Sequence, residues 1–143
     1  MKSAKAYRRN GKWFVHSDCQ TTAGVWIASA PYVASEDDPA TLGNAILEAL
    51  EASAIEVPHP TSWGNIFSPV LDLAKVKSWT TFVKGASLVG VEANGPTIIL
   101  TPHCNQGSED GFDPLENQRT QLPIEANSRD VGQAALNVVA LCK

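Results

Sequence analysis

The sequence predicts an α+β fold in which antiparallel β-hairpins form a sheet covered by helices. Three observations lead there. Residues 88–101, LVGVEANGPTIILT, alternate about an Asn94-Gly95 pair, a strong short-range hairpin signal. Residues 39–53 set Leu42, Ala45, Ile46, Ala49 and Leu50 at helical spacing behind Asp38, a good cap, and Pro39, a good first-turn residue. Residues 128–141 repeat such spacing with Val131, Ala134, Ala135, Val138, Val139 and Leu141.

Taken in order, residues 1–11 are basic and carry no apolar pattern, so they are expected to be flexible. Residues 12–16 (KWFVH) and 24–28 (GVWIA) are aromatic and β-branched runs that suit strands. The polar SDCQTTA between them reads as a long hairpin loop, with Trp13 and Val15 on one face and Phe14 and His16 on the other. A weaker strand at Tyr32 and Val33 follows Pro31. Beyond the 39–53 helix, VPHPTSWGNIF (residues 57–67) is a connecting loop. Ser68 and Pro69 open a second helix with Val70, Leu71, Ala74 and Val76 inward. Ser78 caps a short helical turn carrying Phe82 and Val83, and Gly85 ends it.

The hairpin that follows is expected to pair Ala93 with Pro96, Val91 with Ile98 and Val89 with Leu100. One face is then wholly apolar, and Leu88, Gly90, Glu92, Thr97, Ile99 and Thr101 make a mixed, partly exposed face. Pro96 has no amide hydrogen for a tight turn, so the loop is expected to open to four residues in this register. Residues 102–118 are rich in turn formers and read as irregular. Residues 120–125 (TQLPIE) read as an edge strand, where Pro123 is tolerated. LGNAILEAL and VGQAALNVV match at a shift of 89 residues, which raises the reading of two pseudo-repeated βββα halves.

Composition sets the class. The chain has 143 residues with 43% hydrophobic, enough for one domain over residues 1–143 with a real core. The net charge of −4 argues against direct nucleic-acid binding, which wants a basic face. Cys19, Cys104 and Cys142 cannot all pair internally, no signal peptide is recognisable, and no apolar run approaches the roughly 20 residues that span a bilayer. A cytoplasmic protein with reduced thiols and no membrane contact is expected. Composition sets no oligomeric state.

Candidates for chemistry are few. His16-x-x-Cys19 and His103-Cys104 offer nitrogen and sulfur ligands for zinc, or a nucleophile with a base, if they meet in space. Neither spacing matches a familiar metal or catalytic motif, and lone thiols are commonly buried apolar groups. His59 sits between prolines in a rigid loop. The tryptophans are expected in the core, except Trp63, which stands in a loop between Pro60 and Gly64. What stands out is acidic clustering: Glu36, Asp37 and Asp38 in one group, Glu109, Asp110, Asp113 and Glu116 in another. A solvated loop and a helix cap explain much of this, whereas a negative surface for a basic partner is the functional reading.

The strings KWFVHSDCQTTAGVWIAS, VPHPTSW and AKVKSWTTFVKGASLVGVE, with the two helices bearing Leu42-Gly43 and Val131-Gly132, resemble the immunity proteins of bacterial contact-dependent growth inhibition systems, the CdiI type. The resemblance runs over residues 12–141 and consists of structural strings without a catalytic signature. It implies a small cytoplasmic toxin inhibitor, neither enzyme nor metalloprotein and without cofactor. Its partner would be the C-terminal toxin domain of a large exoprotein, a basic nuclease in the common case. Under this reading the toxin-facing residues are Glu109, Asp110, Asp113 and Glu116, then Glu36, Asp37, Asp38 and Trp63. The alternative is a small cytoplasmic enzyme or metal-binding protein using His16, Cys19, His103 and Cys104.

Overall fold

Seven antiparallel strands and four helices make up the computed structural model, which describes residues 1–143. In chain order they are β1 (Lys2–Arg9), β2 (Lys12–Gln20), β3 (Trp26–Ser35), α1 (Pro39–Ala52), α2 (Ser68–Ala74), α3 (Trp79–Val83), β4 (Ser87–Asn94), β5 (Thr97–Asn105), β6 (Phe112–Pro114), β7 (Thr120–Pro123) and α4 (Ser128–Val139). The strands lie in the order β3-β2-β1-β4-β5, and β6 and β7 both pair with β5.

The α+β class is as expected, and the largest correction is at the N-terminus. Residues 1–11 were expected to be flexible; instead β1 is the central strand, paired with β2 on one side and β4 on the other. Alternation in this strand hides behind small and charged residues. Ala4 and Ala6 go under the helices, and Ser3, Lys5 and Tyr7 go to the opposite face, where they find partners. For the same reason the polar Ser17, Asp18 and Cys19 continue β2 instead of forming its loop. Ser17 is fully buried, Asp18 bonds Ser3 and Lys5, and the Ser53 hydroxyl donates to the Asp18 carbonyl. Opposite them β3 carries two extra residues, Ala30 and Pro31, where the register shifts between His16 and Ser17.

The central hairpin keeps its faces but moves its tip. Val91 pairs with Leu100 and Ala93 with Ile98, so Gly95 and Pro96 are the two turn residues. Gly95 takes the positive φ (60°) that the first turn position requires. Pro96 fills the second position, where no amide bond is needed, so the loop stays tight. A two-residue shift leaves every side chain on its expected face, and Glu92 stays exposed while Val91 and Ala93 are buried. Residues 102–118 are less irregular than expected: β5 runs on to Asn105, β6 follows, and Glu116–Gln118 form a 3-10 turn.

The helices follow the sequence closely. Asp38 accepts from the Thr41 amide at the start of α1, and Asn127 does the same for Asp130 at the start of α4. These two helices cross on one face of the sheet over an 18-residue core that includes Trp13, Leu42, Ile46, Val89, Leu100 and Val131. A Cβ on Gly43 would lie 1.6 Å from the Ser128 carbonyl oxygen, and one on Gly132 1.7 Å from that of Pro39. The contacts are reciprocal, each glycine meeting the carbonyl at the first turn of the other helix. The matched Leu-Gly and Val-Gly strings are therefore explained by close packing, without requiring a duplicated chain. The opposite face of the sheet is covered only in part, by α2 and α3 over Tyr7, Phe14 and Leu88.

Candidate functional site

The uncovered part of that second face is where polar and aromatic side chains gather. Pairing sets His16 beside Lys5, Lys5 beside Gly90, and Gly90 beside Thr101, so one row of the sheet crosses four strands. The next row brings Asp18, Ser3 and Glu92 alongside one another. Two clefts open on these rows and share Lys5. The first, of about 390 Å³, lies between the β1–β3 surface and residues 63–67, and its walls are mostly apolar. The second, of about 190 Å³, runs past Ser3, Glu92 and His103 to Glu116 and Arg119.

The first cleft is firmly built. The Val57 amide bonds to the Gln20 carbonyl at 3.0 Å, and Thr21 Oγ1 and His59 Nδ1 are hydrogen-bonded at 2.9 Å. His59 in turn meets the edge of Trp63, ring centroids 5.4 Å apart. Phe67 stacks on Trp79 at 4.5 Å, which ties the other wall to α3. The prolines of VPHPTSW thus stiffen a loop that is pinned at His59 and presents Trp63, 54% exposed. Trp26 faces it from the start of β3, 38% exposed, and Tyr7, Ile27, Ala28 and Ile66 complete the apolar lining.

On the polar side of the cleft, Lys5 Nζ is ion-paired with Asp18 Oδ2, and Ser3 Oγ donates to the same oxygen at 3.1 Å. His16, almost wholly buried, has Nδ1 2.9 Å from the Ser17 carbonyl and 3.6 Å from Asp18 Oδ1. A carbonyl only accepts, so Nδ1 carries the proton and donates. Nε2 is then a bare acceptor, and it has no hydrogen-bond partner. Burial lowers the His16 pKa below its ordinary value against the opposing pull of Asp18, so the ring is neutral near pH 7. Burial likewise raises the Tyr7 phenol.

The sequence-derived candidates separate into groups. Asp38 is spent on the α1 cap, and Asp37 makes a two-pronged ion pair with Arg8 (3.0 and 2.7 Å) while accepting from Trp13 Nε1 at 2.7 Å. Arg8 and Thr41 hold these two carboxyls below their usual range. Glu36 lies 3.8 Å from Lys12 in an exposed pair. By contrast Glu109, Asp110, Asp113 and Glu116 are all exposed, and none forms an ion pair. Glu116 lines the second cleft, at the far end of the open face from Trp63.

The enzyme or metal constellation does not assemble. Strand alternation sends His16 to the open face and Cys19 to the helix face, where its thiol donates to the Ala52 carbonyl at 3.3 Å. His103 and Cys104 are neighbours in β5 and so point to opposite sides. No three His, Cys, Asp or Glu side chains converge in a metal-holding group. All three cysteines are free thiols, and no helix is long and apolar enough to cross a membrane.

Sequence reading missed Lys5, Tyr7, Asp18 and Trp26. A tryptophan two residues after Gly24, at a strand start, was the available signal for Trp26, which was expected in the core. Lys5, Tyr7 and Asp18 carried none, because they lie in segments read as tail and loop.

The class defined by this fold and site is a small α+β protein whose sheet is covered by helices on one face and left partly open on the other. The chain belongs to the CdiI family, described as CDI immunity protein, whose profile matches residues 28–142. Two solved structures share the fold. A Neisseria meningitidis protein of unknown function superposes with a TM-score of 0.77 at 12% identity, over 99% of this chain and 95% of that one. The CdiA-CT/CdiI toxin and immunity complex from Yersinia pseudotuberculosis gives 0.76 at 12% identity, over 99% and 97%. At this identity the likeness is one of fold. No protein of curated function matches the sequence.

Proposed function

We propose that this chain is a non-catalytic inhibitor that binds the C-terminal toxin domain of a contact-dependent growth inhibition exoprotein through the open face of its sheet. The observation that carries the reading is the division of that face. Helices cover one end, and the remainder joins an aromatic cleft to a polar one lined by Glu92 and Glu116 beside Lys5 and Arg119. Family membership supports it, and the Yersinia neighbour is itself part of a toxin and immunity complex.

The toxin is a basic nuclease, met in the cytoplasm of the recipient cell. The charge of −4 and the unpaired carboxylates Glu109, Asp110, Asp113 and Glu116 favour a positive partner, since complementary potentials speed encounter and fix orientation. Trp63 supplies the aromatic anchor that affinity needs. The test uses the toxin domain encoded by the reading frame adjacent to this one, produced with and without this chain. Submicromolar 1:1 binding together with protection of growth is expected, and Cys19→Ser and Cys104→Ser should protect as well as wild type. Protection without binding, or its loss in a folded cysteine variant, would overturn inhibition by binding alone.

A further inference from the structure

We infer that the aromatic cleft receives one neutral, ring-bearing side chain of the toxin, a tyrosine or tryptophan, whose O–H or N–H donates to His16 Nε2. This deepens the toxin-binding reading and rests on it. The argument begins with the orphan atom. His16 is 1% exposed and lines the cleft, its Nδ1 proton is committed to the Ser17 carbonyl, and Nε2 is left without any partner. Buried acceptors in folded proteins are nearly always paired, so an unpaired one beside a cleft marks the place of an incoming donor.

Charge then narrows the occupant. Lys5 and Asp18 close their charges on each other, and His16 is neutral, so this part of the cleft carries no net charge. A guanidinium or carboxylate entering here would meet a like charge in Lys5 or Asp18 and would have to break that pair. A neutral donor leaves it intact. Shape narrows it further. Trp26, Trp63 and Phe67 supply flat apolar walls around a space of about 390 Å³, which admits one large ring and favours stacked or edge-on contact. An aliphatic hydroxyl side chain would reach Nε2 only by leaving those walls empty. Tyrosine and tryptophan are the two side chains that join a large ring to a neutral donor.

Two arms test the inference on the intact chain. In the first, isotope-labelled protein is titrated with p-cresol and indole, and with 4-methylanisole and N-methylindole, which keep the ring and lose the donor. The parent compounds should bind at least fivefold more tightly and should move the His16 Nε2 nitrogen signal upfield, as expected for a lone pair that gains a proton donor. Equal binding of parent and methylated compounds, or tighter binding of benzamidinium, would overturn the assignment of a neutral donor. In the second arm, affinity for the toxin domain is measured for wild type, Trp63→Ala and His16→Gln, with folding checked by urea midpoint. At least a tenfold loss is expected for Trp63→Ala, whose side chain is 54% exposed. A toxin that binds wild type and Trp63→Ala equally would overturn this inference and leave inhibition standing. A chain that binds no toxin at all would overturn both.

Discussion

The two faces of the central sheet are built from the same strands and do different work. Under α1 and α4 the sheet and the two helices together close an apolar core of 18 buried residues. Each fully buried Leu or Ile there contributes roughly 1.5–3 kcal/mol by leaving water. On the other face a six-residue cluster lies under α2 and α3, and beyond it the same strands show Lys5, His16, Asp18, Glu92 and His103. β1 makes the contrast within one strand, with Ala4 and Ala6 turned to the helices and Ser3, Lys5 and Tyr7 turned away. Strand alternation thus lets the helix face carry stability while leaving the open face free for the recognition proposed above, and substitutions on the two should separate accordingly.

The sharpest break is at the helix crossing. Gly43→Ala puts a methyl group into the Ser128 carbonyl, a backbone group that cannot swing away. We expect a loss of roughly 3 kcal/mol or more in urea unfolding, at the upper end of overpacking effects. Toxin affinity of the fraction that stays folded should be unchanged. A loss below 1 kcal/mol would mean that the helices separate readily and that this face is not the rigid one.

Acid should act on the open face first. His16 takes up a proton near pH 6.5 in the unfolded chain, but burial holds it neutral in the fold to a lower pH. Between those values the unfolded state binds more protons, so stability falls as pH falls below about 6.5. The groups facing His16 are Lys5, Asp18, Tyr7 and Tyr32. His103, also lowered by burial, acts with the same sign. Asp37 and Asp38 keep their contribution until the pH falls below about 4, so the histidine window is read above theirs. His16→Gln should flatten the stability profile between pH 6.5 and 5, and an unaltered slope would place the acid-sensitive group elsewhere.

These expectations draw on how unevenly the sequence exposed its own fold. α1 and α4 were legible because capping residues and helical periodicity agree, and the helix face of β4 and β5 because Val89, Val91, Ile98 and Leu100 alternate cleanly. β1 was hidden because Ala4 and Ala6, chosen by the tight fit under helices, have no strand signature. The end of β2 was hidden because its polar groups are satisfied by partners far away in sequence, such as Ser53 for the Asp18 carbonyl and Lys5 for the Asp18 carboxylate. The candidate site suffered most, since Lys5, His16 and Trp26 meet only through strand pairing that no local pattern states. Trp63 was legible because a loop rich in proline has little other reason to carry a tryptophan.

A smaller effect is expected at the acidic stretch of residues 109–116. Asp110→Lys with Asp113→Lys should slow toxin association several-fold at low salt and flatten its dependence on ionic strength, because exposed charges steer encounter. The urea midpoint should stay within about 0.5 kcal/mol of wild type, as for other exposed loop charges. Identical rates and salt slopes would remove residues 109–116 from the interface.

The four tryptophans give the most direct reading of which face meets the toxin. Trp13 is buried against the helices with its indole N–H bonded to Asp37, Trp79 packs between Phe67 and Phe82, and Trp26 and Trp63 line the open cleft. With the chain labelled at its tryptophan indole nitrogens, adding unlabelled toxin domain should shift the Trp26 and Trp63 signals strongly and leave Trp13 in place. A toxin that displaces the Trp13 signal while Trp26 and Trp63 stay unmoved would contradict the assignment of recognition to the open face.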